Sequence, residues 1–229
     1  MIYKPPFPSA AAKARAEARA LAAAQLLLRL RLKGFRELNL LRAMEVAPRE
    51  NFVEAAQVEQ AMRDIALPLA CGQTLERPSE LALALAALSV GPRMRVLEVG
   101  TGSGWSAAVL SGLVREVVSL ECFDSLARAA RERLERQKIG NVAVIWADGN
   151  EASPALGLFD RIIVHGAFEA APTHLLGALG EGGALVCALG EHEKTRRLLY
   201  RRLPGDRIVT EPLGPCRAQA LLRGLFGAL

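Results

Sequence analysis

The most informative segment of the chain is VLEVGTGSGWSAAVL, which spans residues 96–110. Its first part is apolar and β-branched apart from Glu98, a composition typical of a buried strand. Gly100, Gly102 and Gly104 follow, and an alanine-rich helical pattern comes next. Glycines between a strand and a helix let the backbone turn sharply and approach a ligand closely. The segment therefore predicts a ligand-binding loop at the end of a strand in an α/β fold.

Short apolar runs alternate with helical patterns along the rest of the chain. The predicted strands are Arg95–Val99, Glu116–Glu121, Asn141–Trp146, Phe159–Val164 and Ala184–Leu189. Such alternation is typical of a parallel sheet with right-handed crossovers, which places helices on both faces. We therefore predict a doubly wound, Rossmann-like α/β sheet. Two further runs, Leu198–Leu203 and Ala218–Phe226, are expected to form an antiparallel edge.

The N-terminal part of the chain has a different composition. Residues 1–9 are rich in proline, and residues 10–44 have a helical composition with a break near Gly34. We predict that residues 1–66 form an N-terminal arm and helical segment, and that residues 67–229 form the α/β domain. The basic helix has three possible roles: packing on the domain, self-association, or binding an acidic partner.

The charge of the chain is concentrated in that segment. The net charge is +5, but residues 1–50 carry +6 and residues 51–229 carry −1. A near-neutral body does not favour a nucleic-acid partner. The four cysteines lie far apart without a CxxC spacing, so neither a metal site nor a disulfide framework is predicted. No apolar run approaches the length of a membrane span, and we expect a cytoplasmic protein without a membrane partner.

Acidic residues mark the ends of three predicted strands. Glu98 lies two residues before Gly100, Glu121 ends the next strand, and Asp148 follows the third. A carboxylate at the end of the second strand is well placed to accept both hydroxyls of a ribose. Asp148 is placed to meet an adenine edge. The three residues predict a nucleoside-containing ligand.

The spacing of the glycines indicates which nucleoside-containing ligand is expected. A dinucleotide fingerprint is GxGxxG, whereas this loop is GxGxG with Trp105 next. A ligand with ribose and adenine but no pyrophosphate fits this pattern better, and S-adenosylmethionine is such a ligand. A nicotinamide-dependent dehydrogenase is the alternative.

Three segments together resemble the protein-L-isoaspartate O-methyltransferase family. They are AMEVAPRENFV at residues 43–53, LPLACGQTLERP at residues 67–78, and LEVGTGSG at residues 97–104. The resemblance implies a Rossmann-like fold and an enzyme that uses S-adenosylmethionine. It also implies the reaction, which is methylation of the α-carboxylate of isoaspartyl residues in damaged proteins or peptides as a step in their repair.

The resemblance also implies which residues do this work. The cofactor, with S-adenosyl-L-homocysteine as its product, would be held by Glu98, Gly100, Thr101, Gly102, Ser103, Gly104, Glu121, Asp148 and Gly149. The acceptor would lie beside Gln73, His165, Gly166 and Ala167. His165 could equally be a structural, hydrogen-bonded histidine.

The segment at residues 67–78 resembles the acceptor loop of the family and is given that name here. It departs from the family at one position. The family has a serine where this chain has Glu76, and the candidate catalytic residues are Thr74, Glu76 and Arg77. An ionised glutamate repels a substrate carboxylate, but Arg77 could reverse that repulsion with a bidentate contact. The two residues could also be a solvated loop pair. The departure leaves two alternatives open: a methyltransferase acting on a small molecule or RNA, and a cofactor-binding module without isoaspartyl activity.

Overall fold

The computed structural model describes residues 10–151, 154–191 and 194–227. The proline-rich arm predicted for residues 1–9 lies outside these ranges. Helix α1 (Ala10–Leu32) and helix α2 (Leu38–Val46) are separated at Gly34, where φ is +100°. Glycine adopts this left-handed conformation without the steric cost that other residues incur, and it commonly ends helices for that reason. The predicted break in the N-terminal helix is confirmed.

A compact, irregular segment connects these helices to the domain. It contains the short helix α3 (Val58–Ala61) and two very short strands, β1 (Leu67–Pro68) and β2 (Thr74–Leu75). The strands pair antiparallel, with Leu67 opposite Leu75. This hairpin holds residues 69–73 as a loop, and helix α4 (Pro78–Leu88) begins three residues after β2.

Seven strands form the main sheet. They are β3 (Arg95–Val99), β4 (Glu116–Glu121), β5 (Val142–Trp146), β6 (Phe159–Phe168), β7 (Leu179–Leu189), β8 (Arg196–Arg202) and β9 (Ile208–Pro215). Their order is β5-β4-β3-β6-β7-β8-β9. The first five strands in this order, β5, β4, β3, β6 and β7, are parallel to one another. Strands β8 and β9 are each antiparallel to the strand before them. The chain moves from one side of β3 to the other after β5, and open α/β sheets bind ligands at such a switch point.

Helices cover the sheet on both faces. They are α5 (Trp105–Ser111), α6 (Asp124–Arg136) and α7 (Thr173–Gly177), in addition to those above. Neighbouring strand residues face opposite sides of a sheet. Val96 accordingly belongs to the core cluster that includes Leu85 and Leu110, whereas Leu97 belongs to a second cluster with Leu175. The predicted doubly wound architecture is confirmed.

The N-terminal helices share the larger of these two clusters. Leu26 and Leu30 of α1 are buried in it together with Trp105. Packing of the basic helix on the domain is thus observed, and the domain boundary at residues 66–67 remains a prediction. Within the described residues, no helix is both long and apolar enough to cross a membrane.

The second edge strand differs from the prediction. It is Ile208–Pro215, not Ala218–Phe226. Pro212 and Pro215 make residues 208–215 a poor strand by sequence, but an edge strand needs hydrogen bonds on one side only and tolerates proline. Residues 218–226 instead make two isolated bridges, Ala167 to Ala220 and Phe123 to Phe226. They cross the carboxyl edge of the sheet.

Candidate active site

The glycine-rich loop leaves β3 and packs against β6. The Gly100 amide donates to Leu120 O at 2.8 Å, and φ at Gly100 is +92°. A Cβ added at Gly100 would lie 3.3 Å from the Cβ of His165, so the close approach to β6 depends on glycine. Helix α5 begins directly after Gly104. The loop therefore lies between strand and helix at the carboxyl edge of the sheet, as its sequence predicts.

Glu98 lies inside the sheet next to this loop. Its side chain is fully buried, and Ser119 of β4 donates to its Oε2 at 2.5 Å. The hydroxyls of Ser119 and Thr101 also lie 2.5 Å apart, which links Glu98 to the loop. On its other side, Oε1 lies 3.1 Å from His165 Nε2. Glu98 thus joins the glycine-rich loop to the histidine of β6.

Glu121 holds the glycine-rich loop from β4. Its Oε2 accepts the Gly102 amide at 2.8 Å, and its Oε1 accepts the Phe123 amide at 3.1 Å. Burial raises the pKa of Glu121, and the two amides partly offset that effect. The carboxylate therefore occupies the place at the second strand end that the sequence predicts.

Asp148 and Gly149 complete this edge after β5. The Asp148 carboxylate accepts the Asn150 amide at 2.8 Å and the Gly224 amide at 2.6 Å. Burial would raise the pKa of Asp148, but these amides outweigh it and lower that pKa. A Cβ added at Gly149 would lie only 2.1 Å from Cγ1 of Val99, so this position accepts glycine alone.

These residues suit an adenosyl cofactor. Gly100, Gly102, Glu121 and Gly149 line one small cavity of about 70 Å³, which residues 219–222 also line. The cradle has no room for a Cβ at Gly149, and Glu121 lines it from the end of β4. Among the other predicted cofactor residues, Ser103 and Gly104 are buried at the start of α5, and Glu98 is buried behind the loop.

A larger cavity of about 820 Å³ adjoins the other side of the glycine-rich loop. Gly100 and Gly102 line both cavities, as do Thr74 and His165. Thr74 is exposed on β2, and the cavity is within the size range of a ligand pocket. The cavity therefore brings the two loops together. Its cofactor end is at the glycine-rich loop, and its acceptor end is at the acceptor loop.

Glu76 is held in this cavity by two cations. Its Oε1 lies 2.7 Å from Nδ1 of His165, and its Oε2 lies 3.1 Å from Nη2 of Arg197. Burial would raise the pKa of Glu76, but His165 and then Arg197 outweigh it and lower the pKa to about 2. Burial likewise would lower the pKa of His165, but Glu76 and Glu98 raise it to about 10. Glu76 is therefore ionised and His165 protonated at neutral pH.

Arg77 contacts a different carboxylate. Its Nη2 lies 3.0 Å from Oε1 of Glu80, in the first turn of α4, and its side chain is 46% exposed. The arginine that neutralises Glu76 is Arg197 of β8, which lies in a basic run of the sequence. Antiparallel pairing puts Arg197 opposite Ala188, and alternation puts it on the same face as the buried Leu199. That period-two pattern is the signal that could have identified it.

Arg49 is a second residue that the sequence does not single out. It is fully buried, and its guanidinium donates to the carbonyl oxygens of Glu76 at 2.7 Å and Ala61 at 3.1 Å. Its guanidinium carbon also lies 5.2 Å from the centre of the Trp105 ring. Burial lowers its pKa to about 10, which leaves it charged at neutral pH. Arg49 anchors the backbone of the acceptor loop.

Of the remaining residues predicted for the acceptor side, some line the larger cavity and others do not. His165 and Gly166 lie within β6 rather than after it, and both line the larger cavity. Ala167 is buried, and its amide donates to Gln219 O at 2.8 Å, so it faces the C-terminal segment. The Gln73 side chain turns back to Cys71 O at 3.1 Å. The structure thus brings Thr74, Glu76 and His165 together, while Gln73 and Ala167 contact neighbouring backbone.

Comparisons with known proteins agree with this site. The family model for protein-L-isoaspartate(D-aspartate) O-methyltransferase matches residues 22–218. Protein-L-isoaspartate O-methyltransferase 2 of Rhodopseudomonas palustris strain HaA2 is 41% identical over 193 residues, which cover 84% of this chain and 89% of the relative. The protein-L-isoaspartate O-methyltransferase of strain BisA53 is 44% identical, with 84% and 90% covered.

Solved structures show the same fold. A protein-L-isoaspartate O-methyltransferase from Plasmodium falciparum, in complex with S-adenosyl-L-homocysteine, superposes with a TM-score of 0.75 at 23% identity, covering 86% of this chain and 97% of that one. A second protein-L-isoaspartate O-methyltransferase superposes with a TM-score of 0.79 at 25% identity, covering 89% and 67%. The chain therefore belongs to the protein-L-isoaspartate(D-aspartate) O-methyltransferase family.

Proposed function

We propose that this protein transfers the methyl group of S-adenosylmethionine to the α-carboxylate of isoaspartyl residues in damaged proteins. One observation carries the proposal beyond family membership. Residues of the glycine-rich loop and of the acceptor loop line one continuous cavity of about 820 Å³, which is open to the surface. A cofactor and a peptide acceptor can therefore meet there, with the reactants held side by side.

The residues proposed to hold the cofactor are those of the sheet edge. The backbone of the Gly100–Gly104 loop and the carboxylates of Glu121 and Asp148 would orient it, and the backbone of Gly149 would contact it. When bound, S-adenosylmethionine supplies an electrophilic methyl group on a sulfonium. Glu98 would act behind the loop by fixing Thr101 through Ser119.

The protein's own groups position the acceptor and do not remove a proton from it. A substrate carboxylate is already ionised at neutral pH, so the transfer needs no general base. His165 agrees with this, because Glu76 and Glu98 keep it protonated. Thr74 would donate its hydroxyl to the acceptor, and the buried walls of the cavity would exclude water from the reacting atoms.

A peptide pair tests the proposal. The protein is incubated with labelled S-adenosylmethionine and an isoaspartyl peptide, or with the same peptide carrying ordinary aspartate. We expect base-labile label in the first peptide only, and none with the variant Glu121→Ala. Equal labelling of the two peptides, or labelling of neither, would contradict the proposal.

The substitution at residue 76 favours a second candidate, a methyltransferase of this family with a different acceptor. A partly buried, ion-paired glutamate stands where the family resemblance leads us to expect a serine. Binding of S-adenosyl-L-homocysteine together with no labelling of either peptide would favour this candidate, and labelled RNA or small molecules from a lysate would then identify the acceptor class.

The setting that we propose is the cytoplasm. Its support is that all four cysteines are free and that two of them, Cys187 and Cys216, are buried as small side chains. Damaged proteins are the proposed macromolecular partners. The N-terminal helix keeps Leu21, Leu28 and Leu32 exposed, which supports self-association through that helix as a further proposal.

A further inference from the structure

Two cations of the acceptor cavity converge on a single carboxylate. Nδ1 of His165 contacts one oxygen of Glu76 at 2.7 Å, and Nη2 of Arg197 contacts the other at 3.1 Å. One cation on each oxygen is an arrangement by which proteins bind free carboxylates. Here the bound carboxylate belongs to the chain itself.

Both cations are fixed by partners outside this contact. Nε2 of His165 lies 3.1 Å from Glu98 and 3.0 Å from the hydroxyl of Ser106. Nη1 of Arg197 donates to Glu80 O at 2.5 Å, and its Nη2 lies 3.4 Å from the Glu80 carboxylate. The side chains of His165 and Arg197 are only 14% and 10% exposed. The two cations are therefore preorganised on strands β6 and β8.

Glu76, by contrast, lies in the short connection between β2 and α4. Its backbone oxygen is held by Arg49 at 2.7 Å, so the main chain is anchored. Its side chain is 21% exposed and faces the cavity. Rotation of this side chain alone would vacate the two cations without opening the loop.

We propose that His165 and Arg197 form a carboxylate-binding subsite, and that Glu76 is an internal ligand that competes with the acceptor's carboxylate for it. The proposal rests on the proposed function only for the identity of the acceptor. The other two arginines that line the cavity are Arg77, paired with Glu80, and the exposed Arg217. They are the alternative positions for the acceptor carboxylate.

Competition of this kind makes a distinct prediction. An incoming carboxylate must exchange with Glu76, because two carboxylates cannot share the subsite without strong repulsion. Removing the Glu76 side chain leaves a space with two positive groups around it. Small carboxylates should then bind where none binds in the unaltered protein.

Formate is the first probe. The melting temperatures of the unaltered protein, Glu76→Ser and Glu76→Ser/Arg197→Gln are compared in sodium formate and in sodium chloride of equal ionic strength. We expect formate to raise the melting temperature of Glu76→Ser by about 3 °C in a saturable manner, and not that of the other two. Glu211→Ser, on the exposed edge strand, is the matched control. A formate effect of equal size in all variants, or in none, overturns the proposal.

An isoaspartyl peptide is the second probe. We expect KM for the peptide to fall about fivefold in Glu76→Ser, with the affinity for S-adenosyl-L-homocysteine unchanged. Glu76→Gln, which keeps the shape but not the charge, should show a smaller fall and remains informative if Glu76→Ser does not fold. An unchanged or higher KM in both variants overturns the proposal. If formate stabilises Glu76→Ser but no variant methylates the peptide, the subsite stands and the proposed function fails.

Discussion

The cofactor end of the cavity and its acceptor end use carboxylates in opposite ways. At the cofactor end, Glu121 accepts two backbone amides of its own edge of the sheet, Gly102 and Phe123. At the acceptor end, Glu76 is matched by two side-chain cations from different strands, His165 and Arg197. The first carboxylate organises a loop, whereas the second occupies a charged pocket.

This difference teaches where the chain follows its family and where it departs from it. Backbone amides need only the strand–loop–helix geometry, so any sequence that builds the glycine-rich turn retains them. Side-chain ion pairs need specific partners, and Glu76 is accompanied by the buried Arg197. We infer that the cofactor end keeps its function independently of residue 76, while the acceptor end is specialised.

The largest effect is expected at the cofactor end. Glu121→Ala removes the acceptor of the Gly102 and Phe123 amides and leaves both unpaired in a partly buried place. The affinity for S-adenosyl-L-homocysteine should fall roughly 200-fold, or about 3 kcal/mol. Isothermal titration calorimetry measures this. An affinity within threefold of the unaltered protein would remove Glu121 from the cofactor end.

At the acceptor end, Arg197→Gln should act on stability rather than on the cofactor. Glu76 loses one of its two cations while it remains largely buried, and the free energy of unfolding should fall by about 2.5 kcal/mol. Urea unfolding monitored by tryptophan fluorescence measures the change. The affinity for S-adenosyl-L-homocysteine should stay within twofold, and a large loss there would show that the two ends are not separable.

The substitution Gly149→Ala makes a purely steric change at the cofactor end. The new Cβ would lie 2.1 Å from Cγ1 of Val99, a short and rigid side chain. We expect a loss of about 2 kcal/mol in the free energy of unfolding. Gly140→Ala is the matched control, since a Cβ there meets nothing within 4 Å. Equal unfolding free energies for the two variants would contradict the packing described for this edge.

The ion pair at the acceptor end should depend on pH. The pKa of His165 is raised in the folded protein from 6.5 to about 10. Its contribution to the free energy of unfolding is therefore complete below pH 6.5 and is lost as the pH rises towards 10. The pKa of Glu76 is lowered from 4.5 to about 2, so its contribution is complete above pH 4.5 and is lost as the pH falls towards 2.

The measurement is the difference in unfolding free energy between the unaltered protein and Glu76→Gln across this range. It should be largest between pH 4.5 and 6.5 and smaller by about 1 kcal/mol at pH 9. Glu80 and Glu98, which flank the two cations, are present in both proteins and therefore cancel. A difference that grows from pH 6.5 to pH 9 would show that His165 is not the cation that Glu76 stabilises.

The smallest effect is expected for Arg77→Gln. Arg77 contacts Glu80 from a largely exposed position, and exposed pairs of this kind contribute little. The unfolding free energy should change by less than about 0.5 kcal/mol, in contrast to Arg197→Gln. A loss as large as that of Arg197→Gln would assign the neutralising role to Arg77.

The sequence predicts the cofactor end well because that end depends on local pattern. The strand that carries Glu98, the glycine-rich turn and the acidic strand ends are read from neighbouring residues, and the structure places all of them along one edge. The acceptor end depends on contacts between residues far apart in the chain. Glu76 and Arg197 are 121 positions apart, and Arg49 anchors the loop from 27 positions away. No local pattern connects such pairs.

The edge strand illustrates the same limit. The run from Ala218 to Phe226 is apolar enough to predict a strand, but two of its amides donate to the backbone oxygens of Ala167 and Cys122, which lie in separate parts of the chain. Its place across the carboxyl edge is decided by those distant partners. Residues 208–215 form the strand because β8 offers them an unpaired edge.

The account is tested most directly by a crystal structure of Glu76→Ser with S-adenosyl-L-homocysteine and an isoaspartyl peptide. We predict the nucleoside along Gly100–Gly104 and Glu121, and the peptide's α-carboxylate about 3 Å from both His165 Nδ1 and the Arg197 guanidinium. A peptide carboxylate bound by Arg217 or Arg77, and not by His165 and Arg197, would contradict the division between the two ends.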